Sequence, residues 1–219
     1  MEAKRKIYIQ PHDRHRRLAE LRLEEEWLMD AIQMGQLQRK NCTPHHPIPY
    51  AGHSAWAETI KTLRDNMIPR DWKKDDPRGL PLVISPDGKL AIAVATGDEA
   101  TGIEEFDPCT KSPKGPQTKS AVSNNQLSLF PEEEFAREIK NRTRRGQVTW
   151  LLLIHSDEQK RELRAELSLP IGMNEKGIVD GWEERIILGS MPFDSDRLEI
   201  PIDDNPQAPN IIVNVKRRA

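Results

Sequence analysis

The stretch LPLVISPDGKLAIAVAT, from Leu80 to Thr96, carries the clearest structural signal in the chain. Two apolar runs, 80–85 and 90–96, lie on either side of a Pro86-Asp87-Gly88-Lys89 turn. Apolar runs separated by a short turn containing Asp-Gly predict a β-hairpin. Because both runs are almost continuously apolar, we expect the hairpin to be buried on both faces.

Two helices are predicted before this hairpin, at 13–40 and 55–67. In each of them apolar residues recur every three or four positions, which places them on one face of a helix. The residues that form these faces are Leu18, Leu21, Leu28 and Ile32 in the first helix, and Trp56, Ile60, Leu63 and Met67 in the second. Residues 1–103 are therefore expected to form a helical region plus the hairpin.

The sequence after the hairpin divides into a polar segment and a second structured region. Residues 104–131 are rich in proline and polar residues and are predicted to be a flexible linker. Residues 132–219 are predicted to hold one helix and a mostly antiparallel sheet. The helix is expected at 132–144, and the strands at 148–154, 163–169, 184–188, 197–202 and 211–215. The predicted fold class is α+β.

Composition excludes several classes of protein. The chain has 219 residues, with 33 Lys and Arg against 35 Asp and Glu, so it does not coat nucleic acid by bulk positive charge. Two cysteines are too few for a disulfide scaffold. The longest apolar run is far shorter than the ~20 residues that span a bilayer. No secretory signal begins the chain. These features predict a cytoplasmic protein that does not enter a membrane.

A short motif, Gln126-Leu127-Ser128-Leu129-Phe130, lies at the end of the polar segment. It resembles the peptide with which bacterial polymerases and repair proteins bind the DNA polymerase III β sliding clamp, whose consensus is Gln-Leu-(Ser/Asp)-Leu-Phe. The resemblance covers these five residues alone. It implies that Gln126 hydrogen-bonds in a small polar subsite, while Leu127, Leu129 and Phe130 anchor the peptide in an apolar pocket. The implied partner is the bacterial clamp, with DNA reached indirectly through it.

An alternative interpretation keeps this motif inside the protein. Three large apolar side chains in a polar segment also suit a staple that packs against the chain's own core, or an edge strand. On that interpretation the chain is a binding subunit of a larger bacterial defence or mobile-element complex.

A metal site is a second candidate. Cys42, His45, His46 and His53 lie close together in sequence, and Cys109 is a distant fifth donor. Cys-x-x-His can supply two Zn²⁺ ligands from a loop. The flanking prolines also favour a plain surface turn, so no cofactor is required by the sequence.

Carboxylates and a lysine form a third candidate site. Pro86-Asp87 and Glu158-Gln159-Lys160 resemble the Pro-Asp … Glu-x-Lys pattern of restriction-type nucleases. That chemistry needs both carboxylates around one Mg²⁺. The alternative function is therefore a metal-dependent nuclease or hydrolase. The favoured function is a non-catalytic accessory protein of DNA replication, repair or mobile-element maintenance that is tethered to the sliding clamp.

Overall fold

A computed structural model describes residues 5–128 and 146–193, with only the backbone described at 127 and 128. The four helices of this part of the chain are α1 (Pro11–Glu20), α2 (Glu25–Lys40), α3 (Tyr50–Met67) and α4 (Pro116–Ser128). Its strands are β1 (Lys6–Tyr8), β2 (Lys73–Asp75), β3 (Leu82–Ile84), β4 (Leu90–Thr96), β5 (Val148–Asp157), β6 (Glu162–Met173) and β7 (Val179–Pro192). The α+β prediction is confirmed.

All the described strands belong to one seven-stranded sheet, in the order β1-β7-β6-β5-β4-β3-β2. Neighbouring strands are antiparallel except for two parallel pairs, β4 with β5 and β1 with β7. Since β4 and β5 run in the same direction, their carboxyl ends lie at the same edge of the sheet. The hairpin and the later strands are thus parts of a single sheet.

The predicted hairpin is confirmed. Strands β3 and β4 pair antiparallel, with Val83 opposite Ile92. Gly88 in the turn has φ +74°, a conformation that glycine adopts without steric cost. The carboxylate of Asp87 accepts hydrogen bonds from the Ser85 hydroxyl at 2.6 Å and the Lys89 N–H at 3.1 Å. The hairpin is buried on both faces, as the continuous apolar runs indicate.

Each face of the sheet covers its own hydrophobic cluster. On one face, β-strand residues such as Ile92, Trp150 and Leu152 pack with α1, α2 and α3. On the other face, Leu151 and Leu153 pack with Val122 of α4. The alternation of Trp150 to Leu153 between the two clusters follows from the period of two along a strand.

The helix predicted at 13–40 is interrupted between α1 and α2. Arg22 adopts a left-handed conformation with φ +58°. The N–H of Arg22 bonds to the carbonyl of Ala19, and the N–H of Leu23 bonds to the carbonyl of Leu18, both at 2.9 Å. This pattern is a Schellman motif, and Leu18 and Leu23 are buried in the same cluster. The break therefore comes from packing, since no glycine or asparagine marks it.

The polar segment predicted as a flexible linker contains regular structure in its described part. Thr110 bridges to Gly97 at the end of β4, and α4 occupies residues 116–128. The remaining residues of that segment, the helix predicted at 132–144 and the strands predicted at 197–202 and 211–215 lie outside the described residues. No helix within the described ranges has the length and apolar character to cross a membrane.

Candidate functional site

The clamp-like motif begins in the last turn of α4, directly after an anchoring residue. Asn125 is almost fully buried and bonds to the backbone of two strands. Its side chain accepts the Thr149 N–H at 2.8 Å and donates to the carbonyls of Thr149 at 2.8 Å and Pro170 at 2.9 Å. The residue before the motif is therefore fixed to β5 and β6.

Gln126 is exposed, although it is the neighbour of a buried residue. Among the side chains described in α4, the buried ones are Thr118, Val122 and Asn125, at spacings of four and three along one face of the helix. Gln126 follows Val122 by four residues, at the border of that face, and its side chain is exposed. Leu127 and Ser128 continue the helix in their backbone, while Leu129 and Phe130 lie outside the described residues.

The cysteine among the candidate metal ligands has local polar partners. The Sγ of Cys42 lies 3.5 Å from the Gln38 carbonyl and 3.5 Å from the Ser54 hydroxyl. His45 is exposed in the proline-rich turn. Cys109, the distant fifth donor, lies beyond the end of β4, and its carbonyl accepts the Asp98 N–H at 2.9 Å.

The other two histidines contact aromatic rings. His46 Nδ1 accepts the Thr43 N–H at 3.0 Å, and its ring stacks on Tyr50 at 4.6 Å between centroids. His53 packs against Trp56 at 5.4 Å. Across residues 5–128 and 146–193, no three His, Cys, Asp or Glu side chains are grouped so as to hold a metal ion.

The nuclease-like residues are not brought together. Asp87 lies in the turn before β4, and Glu158 lies in the turn after β5. Because β4 and β5 are parallel and paired over seven residues, the two carboxylates lie at opposite ends of the sheet, roughly 20 Å apart. Both cannot bind one Mg²⁺ in this structure.

A cavity of about 150 Å³ lies at the carboxyl ends of β4 and β5, beneath α2 and α3. Ligands of open α/β sheets commonly bind in a crevice outside the carboxyl ends of parallel strands. The sequence does not predict this site, because its walls come from five elements that are distant in sequence, α2, α3, β4, β5 and β6, and from Lys111 and Glu158 outside them. Its only sequence signal is a set of polar residues that follows two apolar strands.

Close contacts of α2 and α3 with each other and with the sheet form the wall of this cavity. A Cβ on Gly35 of α2 would come within 2.1 Å of the Thr59 Oγ1 of α3, so the two helices approach at a position that admits no side chain. The indole Nε1 of Trp56 donates to the Val94 carbonyl of β4 at 3.1 Å. These contacts hold α3 against β4 at Val94, which lies beyond the residues of β4 that pair with β3.

Several polar side chains line the cavity. Gln36 is 5% exposed, and its Oε1 is buried without a hydrogen-bond partner. Arg39 and Lys111 contribute positive charge, and Glu158 contributes a carboxylate that accepts from the Ser156 hydroxyl at 3.3 Å. Lys111 is positioned by its backbone, since its N–H bonds to the Thr96 carbonyl at 2.9 Å.

His155 also lines the cavity, at the end of β5. It is buried, and its Nδ1 lies 3.5 Å from the Gly97 carbonyl. Asp157 does not assist it, because the Asp157 carboxylate accepts the N–H groups of Gln159 and Lys160 in the following turn, both at 3.0 Å. These bonds, with that from Lys160 foremost, lower the pKa of Asp157. Asp157 therefore caps a turn, and His155, Ser156 and Asp157 do not form a catalytic triad.

The opposite face of the sheet holds a fully buried ion pair between Arg185 and Glu166. The Arg185 guanidinium lies 2.6 Å from Glu166 and also donates to the carbonyls of Ile103 and Phe106. Glu166 also accepts the Gly102 N–H at 2.9 Å. Each partner of the pair is thus saturated by the 97–110 loop, so the pair fixes this loop to β6 and β7 and is not open to a ligand.

Comparison of the chain with protein-family models, with curated proteins and with solved structures found no match.

Proposed function

We propose that this chain is a non-catalytic accessory protein of DNA replication, repair or mobile-element maintenance, and that it binds the bacterial DNA polymerase III β sliding clamp through Gln126–Phe130. The observation that carries the proposal is the agreement of these five residues with the clamp-binding consensus. The exposure of Gln126 supports it, since this side chain supplies the polar contact in that motif.

The position of the motif also supports a tethering role. Asn125 holds the preceding residue on the sheet through three hydrogen bonds. A clamp bound to Gln126 and the residues after it would therefore hold the whole domain close to the clamp, and hence close to DNA.

Binding in an extended form requires the last turn of α4 to unwind. Among the described side chains of α4 the last buried one is Asn125, so unwinding from Gln126 onward leaves Thr118, Val122 and Asn125 packed on the sheet. We expect a modest affinity, roughly micromolar, because a short peptide loses chain entropy as it binds.

A fluorescence-polarisation titration of purified clamp against a labelled 120–136 peptide tests the proposal. In the full chain, Gln126→Ala and Phe130→Ala should each weaken clamp binding by about tenfold or more. Ser128→Asp is the matched control, since the consensus accepts Asp at this position and binding should persist.

Thermal unfolding separates this proposal from the internal staple. Gln126→Ala and Phe130→Ala should leave the thermal midpoint unchanged if the motif faces a partner. A peptide that does not bind near 100 µM, together with a midpoint several degrees lower in Phe130→Ala, would show that the motif packs inside the protein.

A further inference from the structure

The cavity at the carboxyl ends of β4 and β5 is lined in part by polar and charged groups without partners in the described part of the chain, which a gap left by imperfect packing would not require. It lies on the α2–α3 side of the sheet, whereas α4 and the clamp-like motif begin on the other side. Inferences about the two places are therefore independent of each other.

Gln36 is the first such feature. A buried amide without a hydrogen-bond partner is destabilising, so most buried amides in folded proteins are paired. Gln36 lines the cavity and is only 5% exposed, and its Oε1 has no hydrogen-bond partner among the described residues. Rotation of the terminal amide lets either its N–H donors or its oxygen turn toward a ligand.

Unpaired positive charge is the second feature. Arg39 and Lys111 line the cavity, and within residues 5–128 and 146–193 neither side chain forms an ion pair or a hydrogen bond. The cavity carboxylate of Glu158 is not within ion-pair distance of either cation, and it accepts a hydrogen bond from the Ser156 hydroxyl. The net charge of the lining therefore favours an anion, and a guanidinium is well suited to bind a planar carboxylate.

Size and polarity restrict the ligand further. A cavity of 150 Å³ matches one that holds a single benzene, so the ligand has about six non-hydrogen atoms. Val94, Ile154 and Leu163 provide apolar wall beside the polar groups. A short aliphatic chain with one charged head satisfies both parts of the surface.

We propose that this cavity binds a small organic carboxylate, whose charged head is held by Arg39, Lys111 and the amide of Gln36 and whose apolar part lies against Val94, Ile154 and Leu163. Gly52 and Trp56 line the cavity from the first turns of α3, and the exposure of Gly52 places the entrance beside it. The lack of a side chain at Gly52 leaves this entrance open.

Titration of the full chain with butyrate tests the proposal by ¹H–¹⁵N spectra of the tryptophan indoles. Five tryptophans give five indole signals, and a Trp56→Phe variant assigns the signal of Trp56. Trp182 is the internal control, because its Nε1 donates to the Pro108 carbonyl on the other face of the sheet. Butyrate should shift the Trp56 signal with a roughly millimolar Kd and leave the Trp182 signal in place.

Compounds of the same size separate charge from simple space filling. Butyramide should bind at least about tenfold more weakly than butyrate, and n-butylammonium should not saturate. Equal shifts from all three compounds, or no shift with any of them at about 20 mM, would overturn the proposal. Saturable binding of inorganic phosphate without binding of butyrate would overturn the carboxylate assignment.

Variants test the residues. Arg39→Gln and Lys111→Gln should each weaken butyrate binding by about fivefold or more, while Lys73→Gln on the exposed edge strand β2 should not change it. Gly52→Leu should abolish the Trp56 shift without lowering the thermal midpoint, since a Cβ at position 52 meets nothing within 4 Å. Wild-type affinity in Gly52→Leu, or an equal loss in Lys73→Gln, would contradict this site.

Discussion

Gly35 determines how closely α2 and α3 can pack. A Cβ at this position would lie 2.1 Å from the Thr59 Oγ1 and 2.8 Å from the Ala55 carbonyl oxygen. The threonine hydroxyl can rotate away, but the carbonyl belongs to the backbone of α3 and cannot move without shifting the helix.

Gly35→Ala should therefore destabilise the protein by about 1–3 kcal/mol, which outweighs the helix propensity gained by alanine. Gly52→Ala is the matched control, because it also replaces a helical glycine and its Cβ has open space. This control should be neutral or stabilising by up to about 1 kcal/mol. Urea unfolding of both variants measures the difference, and a Gly35→Ala protein as stable as Gly52→Ala would refute the close approach.

Cys109 has an environment that disfavours its thiolate. Burial raises the pKa of the Cys109 thiol, and the carboxylates of Asp98 and Asp180 raise it further. In a Cys42→Ser variant, where Cys109 is the remaining thiol, alkylation by iodoacetamide should rise with pH through a midpoint above the ~8.5 of free cysteine. Asp98→Asn should lower that midpoint. A midpoint at or below that of free cysteine in the Cys42→Ser protein would show that the thiol is not shielded.

Among the elements, α4 shows what hydrophobic periodicity does not detect. Among its described side chains the helix buries one large apolar residue, Val122, and the side-chain amide of Asn125 bonds to strand backbone. A stretch with so few apolar residues is typical of a flexible segment. The sequence alone does not show that the side chain of Asn125 bonds to the backbone of neighbouring strands. The hairpin at 80–96, by contrast, is predicted well, since its signal is local.

Asn125→Ala should destabilise the protein by about 2 kcal/mol or more, because it leaves backbone groups of Thr149 and Pro170 buried without partners. Gln126→Ala, one residue later on the same helix and exposed, should be neutral. Thermal unfolding of the pair measures the effect. Equal midpoints for the two variants would show that α4 is not anchored through Asn125.

The sequence also does not predict the short strands at the two edges of the sheet. Strand β1 has three residues and pairs with β7, with Ile7 opposite Arg185. Strand β2 is equally short and pairs with β3 at the other edge. Three residues carry too little periodicity to indicate a strand, so only the assembled sheet reveals them. The cavity is equally hard to predict, because Gln36 and Lys111 come to line one space only after two helices and three strands have packed together.

At the scale of the whole molecule, one sheet joins the regions that the sequence divides. Strand β4 of the first region pairs with β5 of the second over seven residues, from Leu90 opposite Val148 to Thr96 opposite Ile154. Both hydrophobic clusters contain side chains from β4 and from β5. Neither region can therefore lose its strands without exposing the core of the other.

Unfolding of the full chain should consequently be a single cooperative transition. Tryptophan fluorescence reports on residues of both clusters, including Trp150 and Trp182, while far-ultraviolet circular dichroism reports on the helices and strands together. The two signals should give the same urea midpoint and the same slope. A chain composed of two independent units would instead show two separated transitions. The Asn125→Ala variant sharpens the test, because destabilising α4 on one face should lower the midpoint reported by Trp150 on the other face as well.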